Sequence, residues 1–186
     1  MSEPRRLVAA FYLPVGVRPV SAAALRRLAR RATVKELEEP PWDTPEQPAL
    51  LGSWGGLDCE VHLLDLDYFD GLVLTFREDE LRTARTMARP GADPLVDAFG
   101  NACGSLDPVS AYLTAYAWPD PFWYVRSQQE RVLDGHVAQL ARENLGLLYV
   151  SATDAPDLAA VESPAGCNLL AVGDGVLLLC PQALGR

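Results

Sequence analysis

The sequence predicts an α+β fold in a single domain covering residues 1–186, built as a mixed, mostly antiparallel sheet with four to five helices packed on it. Three observations carry that expectation. Apolar and polar residues alternate through residues 57–76, the pattern of a hairpin with one buried face. Three Asp-Pro pairs (Asp93-Pro94, Asp107-Pro108 and Asp120-Pro121) punctuate the middle of the chain, and in each the Asp can cap a helix while the Pro fills its first position. The last third holds the apolar runs LLYVSA, NLLAV and VLLLC, which read as strands covered by helices. At 186 residues and 49% hydrophobic, the chain is long enough for one sizeable core and too short for two.

Taken in order, Arg6 to Leu13 reads as a strand stopped by Pro14, and Ser21 as the cap of the helix AAALRRLARR, whose arginines suit the negative C-terminal pole. Residues 38–48 contain four prolines and form a surface loop leading to Gly52. In the hairpin, Leu57, Cys59, Val61 and Leu63 alternate with Asp58, Glu60 and His62, and the phase then flips at Leu63-Leu64, where a β-bulge is expected. Asp70-Gly71 supplies its turn, and Leu72, Leu74 and Phe76 its returning inward face. Glu78 to Arg89 reads as a helix stopped by Pro90-Gly91.

Helical spacing then recurs twice, in Leu95, Phe99, Ala102, Cys103 and Leu106, and in Val109, Tyr112, Leu113 and Tyr116, predicting a helical pair. Beyond the aromatic run 118–124, Ser127 and Glu130 form a capping box for a helix bearing Val132, Leu133, His136, Val137 and Leu140. Gly173-Asp174-Gly175 joins the last two strands as a turn and not as a phosphate cradle, because no helix start follows it. The expected core includes Leu74, Phe99, Leu133, Leu148, Leu170 and Leu178.

Charge is unevenly placed. Residues 41–186 carry 21 acids against 8 arginines, a local balance of −13, whereas the first 40 residues hold eight bases and four acids. The net charge of −9 disfavours nucleic acid as a partner of the whole protein, because phosphates are repelled. The apolar runs are only a few residues long and the N-terminus lacks a signal-type apolar region, so no membrane contact and a cytoplasmic location are expected. Four well-separated cysteines (Cys59, Cys103, Cys167 and Cys180) read as free thiols in a reducing compartment. Fifteen arginines to one lysine is the usage of a GC-rich bacterial genome.

Candidate chemistry is sparse, and no cofactor or metal is expected. Cys59-x-x-His62 is half of a metal-site spacing, but strand alternation sends the two side chains to opposite faces. Cys103 with His136 is the candidate nucleophilic pair for a small enzyme, although both fall on apolar helix faces. Asp65 and Asp67 have the spacing of a carboxylate pair that holds a divalent cation for group transfer, yet no phosphate loop lies nearby. The likeness of this stretch to a calcium loop fails in register, since Phe76 stands where the closing carboxylate belongs.

What remains is surface. Residues 58–80 hold eight acids and one arginine around Tyr68 and Phe69, and residues 118–124 gather aromatics about Asp120. Carboxylate rims steer basic partners, and Trp and Tyr supply the anchors that carry binding energy. Asp65, Asp67, Tyr68, Asp70, Trp118, Asp120 and Trp123 are therefore the candidate partner-binding residues of a non-enzymatic, acidic protein-binding domain with a basic protein partner. In size, charge and lack of catalytic motifs the chain is similar to bacterial immunity proteins, and that resemblance implies an inhibitor of a basic toxin or effector.

Overall fold

The structure is a computed structural model whose described residues are 6–16, 22–41, 49–77, 79, 93–116, 120–134, 145–153 and 167–180. In chain order they form β1 (Arg6–Leu13), α1 (Ala22–Arg31), β2 (Lys35–Glu38), β3 (Ala49–Trp54), β4 (Leu57–Asp65) and β5 (Asp70–Arg77). Then follow α2 (Pro94–Leu106), β6 (Ser110–Tyr116), α3 (Pro121–Leu133), β7 (Leu145–Val150), β8 (Asn168–Val172) and β9 (Gly175–Leu179). The strands make one sheet in the order β2-β3-β4-β5-β1-β6-β7-β9-β8, with every pairing antiparallel.

This corrects the expected architecture: the sheet is wholly antiparallel with nine strands, and three helices, not four to five, accompany it among the described residues. Residues 109–116 account for much of the difference. Asp107 adopts a left-handed conformation (φ 52°, ψ 58°) as the C-cap of α2, with its amide donating to the Cys103 carbonyl at 3.0 Å. The second Asp-Pro pair thus ends a helix instead of starting one. The next residues enter the sheet as β6, where Ala111 and Leu113 are buried on one face and Tyr112 on the other. Burial on both faces makes a strand resemble a helix in periodicity. The helix expected over 78–89 and the Ser21 cap lie outside the described residues, apart from Asp79, as does most of the 38–48 loop.

Alternation distributes β1 between two cores. Leu7, Ala9, Phe11 and Leu13 face a cluster closed by α1 and α2, which contribute Leu25, Leu28 and Ala29, and Leu95, Phe99, Ala102 and Cys103. Trp54 is fully buried there and donates its indole N–H to the Ala32 carbonyl at 2.8 Å, tying β3 to the end of α1. Val8, Ala10 and Tyr12 face the opposite cluster, covered by α3 through Val125 and Val132. There the Tyr12 hydroxyl donates to the Val125 carbonyl at 2.8 Å.

The two-sided core also explains the phase change in β4. No bulge occurs, because Glu60 to Asp65 pairs in unbroken register with Thr75 to Asp70. Leu63 packs in the first cluster and Leu64 in the second, as simple alternation requires once α3 covers the far face.

Two core assignments are corrected as well: Leu133 is 51% exposed at the end of α3, and Leu170 is 43% exposed. β8 is the sheet's edge strand and not a central one, so its apolar run is only partly covered. The cysteine expectation also fails in part. Cys167 and Cys180 are disulfide-bonded, leaving Cys59 and Cys103 as buried free thiols. Asn168 pairs with Leu179, so the β8–β9 hairpin brings the residues just outside it face to face, 4.4 Å apart at Cα.

Candidate functional site

The acidic hairpin and the aromatic segment, far apart in sequence, meet in the fold. Asp120 caps α3, its Oδ1 accepting from the amides of Phe122 at 2.8 Å and Trp123 at 3.2 Å. The helix therefore begins with the aromatic run, and Ser127, expected to cap it, sits inside and donates its hydroxyl to the Tyr124 carbonyl. One face of α3 packs onto the sheet, with Phe122 against His62 (ring centroids 4.8 Å apart, edge to face) and Tyr124 against Tyr112.

The connection between β4 and β5 docks on the same helix. Gln129, 6% exposed, accepts from the Asp67 amide at 2.9 Å and donates to the Asp67 carboxylate at 2.9 Å. One turn earlier on α3, Arg126 donates to the Asp65 carbonyl at 3.0 Å. Phe69 and Leu66 turn inward, Phe69 meeting Tyr12 edge to face, while Asp65, Asp67 and Tyr68 stay exposed. Trp123 is 60% exposed one turn before Arg126. The result is a fixed surface carrying two carboxylates and two large aromatic side chains.

The remaining sequence candidates are placed differently. Asp70 is 3% exposed and accepts from the Gly16 amide at 3.1 Å, so it anchors the loop after β1 and is not a rim charge. Trp118 and His136 lie outside the described residues. Cys103 is buried in the first core, and burial pushes its thiol well above the ordinary value, the reverse of what a nucleophile needs. Cys59 lies on the opposite face of β4 from His62, and burial, helped by Asp58 and Glu60, pushes it up to about 12. Among the described residues no group of three or more His, Cys, Asp or Glu side chains is arranged to hold a metal.

Sequence reasoning missed Gln129, whose only signal is a polar residue one turn past the aromatic start of a helix. It also missed β2 and β3, which wall a second concavity on the α3 side of the sheet. That groove of about 420 Å³ is lined by residues including Glu38, Asp58, Glu60 and Thr75. Glu60 is held below the usual carboxylate range, first by its hydrogen bond with His62 (3.4 Å) and also by Arg6, against the opposing effect of burial.

No helix among the described residues is long and apolar enough to cross a membrane. No protein-family model matches the chain, and no curated protein does. A solved structure to which it is similar is the Pseudomonas aeruginosa T6SS protein PA0821, at 11% identity and a TM-score of 0.42, the match covering 94% of this chain and 65% of that one.

Proposed function

We propose that this protein is a non-enzymatic binding domain that captures a basic protein partner on the surface formed by the β4–β5 tip and α3, as an immunity or inhibitor protein does. The observation that carries the reading is the double hydrogen bond between Gln129 and Asp67, which fixes the tip before any partner arrives. A preorganised surface loses less entropy on binding, and the exposed side chains of Tyr68 and Trp123, with the exposed carboxylates of Asp65 and Asp67, combine aromatic anchors with charges that steer a cationic surface. The buried, protonated Cys103 gives no support to the enzymatic alternative.

The test takes the purified basic products of the genes flanking its own and measures association by biolayer interferometry as a function of ionic strength. Asp65→Lys with Asp67→Lys is expected to slow association about tenfold at low salt and much less at high salt, because rim charges act on encounter. Trp123→Ala is expected to speed dissociation. Unchanged kinetics in both variants would remove this surface from consideration.

A further inference from the structure

We propose that β8 is the interface through which two copies of this chain pair, strand to strand and antiparallel, about a two-fold axis at Leu170. The two edges of the sheet among the described residues differ in kind. β2 is charged (Lys35, Glu36 and Glu38), and its register with β3 breaks between Lys35 and Glu38, where Glu36 is left-handed at φ 53°. Charge and irregularity are the devices that keep an edge strand from recruiting another chain. β8 has neither. Its sequence, NLLAV, holds no charge and no proline, and it pairs with β9 without a break from Asn168 to Val172.

The backbone groups that β8 offers follow from its hairpin. Gly173, at φ 57°, and Asp174 make a two-residue turn, and the pair flanking such a turn exchanges both of its hydrogen bonds. Val172, Leu170 and Asn168 therefore spend their amides and carbonyls on β9, and those of Leu169 and Ala171 point to the open side of the strand. Apolar side chains are exposed on both faces. Leu170, cross-strand from Leu177, lies on the α1–α2 side, and Leu169, cross-strand from Leu178, on the α3 side; each is 43% exposed. The Cys167–Cys180 link clamps the end of the hairpin, so the edge is held in place before it pairs.

A second copy is the occupant that this edge fits. Placed antiparallel about Leu170, it sets Leu169 opposite Ala171 and Asn168 opposite Val172, so the residues with outward backbone groups face and satisfy one another. The strand brings no like charges together, although each chain carries −9, whereas a basic partner finds no carboxylate on it. The two Leu170 residues form a non-hydrogen-bonded pair, in which Cα atoms approach to about 4.5 Å. They meet at a concavity of about 520 Å³ between α2 and β8, lined also by Val96 and Gly100. A Cβ at Gly100 would meet no atom within 4 Å, which leaves room for the second leucine. The inference goes beyond the proposed function and does not rest on it.

The experiment is sedimentation equilibrium of the full chain, disulfide intact, from about 1 µM to about 500 µM, a range that brackets the weak association a short strand supports. The weight-average mass is expected to rise from 20.2 kDa toward twice that value. Added salt should strengthen the association, because it screens the repulsion between two acidic chains, whereas it weakens capture of a basic partner. Leu170→Lys sets two ammoniums face to face, and Ala171→Pro removes an outward N–H while sparing the bonds to β9; each should weaken association at least about tenfold. Register is read separately: Leu170→Cys should oxidise to a linked dimer, and Leu169→Cys, which stands opposite Ala171, should not. A mass that stays at the monomer value throughout, association undiminished in both variants, or linkage as ready at position 169 as at 170 would overturn the proposal. Trp123→Ala should leave self-association unchanged, so a failure of this edge and a failure of the β4–β5 tip are told apart.

Discussion

Gln129 and Asp67 exchange two hydrogen bonds, amide to side chain and side chain to carboxylate, each 2.9 Å long, across 62 residues of sequence. The pair makes the tip of a hairpin a part of a helix surface. Replacing Gln129 with Ala leaves the Asp67 amide and carboxylate without that partner in a partly buried position, and the loss should be about 1–3 kcal/mol in urea unfolding. Hydrogen exchange at the Asp67 and Tyr68 amides should accelerate in the same variant.

Leu178 and Leu170 offer a matched contrast, since both are apolar residues of the β8–β9 hairpin. Leu178 is 3% exposed in the α3-side core, and Leu178→Ala should cost about 2–5 kcal/mol. Leu170, at 43% exposure on the edge strand, should lose well under about 1 kcal/mol on the same change, as surface positions do. Equilibrium denaturation of the two variants checks the assignment of centre and edge.

Alkaline pH should unfold this protein through groups that burial keeps neutral. The Cys59 thiol rises from 9.0 to about 12, Cys103 rises also, and burial raises the Tyr12 phenol above its ordinary 10.0. In each case the unfolded chain releases its proton first. Between the ordinary value and the raised one the folded state binds more protons, so stability is complete below about pH 8 and falls as pH climbs past 9 and 10. Urea midpoints at about pH 8 and about pH 10.5 measure the decline. Cys59→Ala, compared with the parent chain, should make it shallower.

Thiol chemistry distinguishes the two classes of cysteine. Denatured without reductant, the chain should titrate two thiols, Cys59 and Cys103, and after reduction four. Opening the Cys167–Cys180 link, which closes a loop of 13 residues, should cost about 3 kcal/mol in the loop-entropy description. The melting temperature in dithiothreitol should fall accordingly. A count of four thiols without reductant would refute the link.

Glycine 175 is expected to tolerate no side chain. A Cβ there would collide with the Val150 carbonyl oxygen, a backbone atom of the neighbouring strand, and meet the Tyr149 ring at 2.5 Å. Gly175→Ala should therefore destabilise by more than about 2 kcal/mol, an overpacking cost measurable by thermal unfolding.

Legibility in the sequence followed whether a residue's local chemistry had one reading. β1, α1 and the Asp93 cap of α2 were each read from their own residues, because a single pattern dominated, whereas the β4–β5 hairpin was read with a bulge it lacks, because both of its faces are buried. Val109 to Tyr116 had two readings, and burial on both faces of the sheet selected the strand. The runs ALLGSW and KELE gave β3 and β2 no alternation strong enough to stand out beside a proline-rich loop. At the candidate site, Asp67 and Trp123 were visible as an acid and an aromatic, but the docking of the Asp67 segment on the helix depends on Gln129, and a buried amide carries no sequence signature. Asp70 misled for the opposite reason, since Asp-Gly marks turns, whereas here Asp70 is the first residue of β5 and is buried.

The position of β1 has a consequence for biosynthesis. Strands β2 to β5 form one half of the sheet and β6 to β9 the other, and β1 is the strand that joins them. Arg6 leaves the ribosome well before its partners, Arg77 and Tyr116. The nascent chain must carry the apolar segment LVAAFYL unpaired until the first half has formed beside it and again until β6 is synthesised. Non-local pairing of this kind is slow and exposes sticky surface while it waits. The segment that completes the sheet is thus also the one that waits longest for its pairing partners during translation.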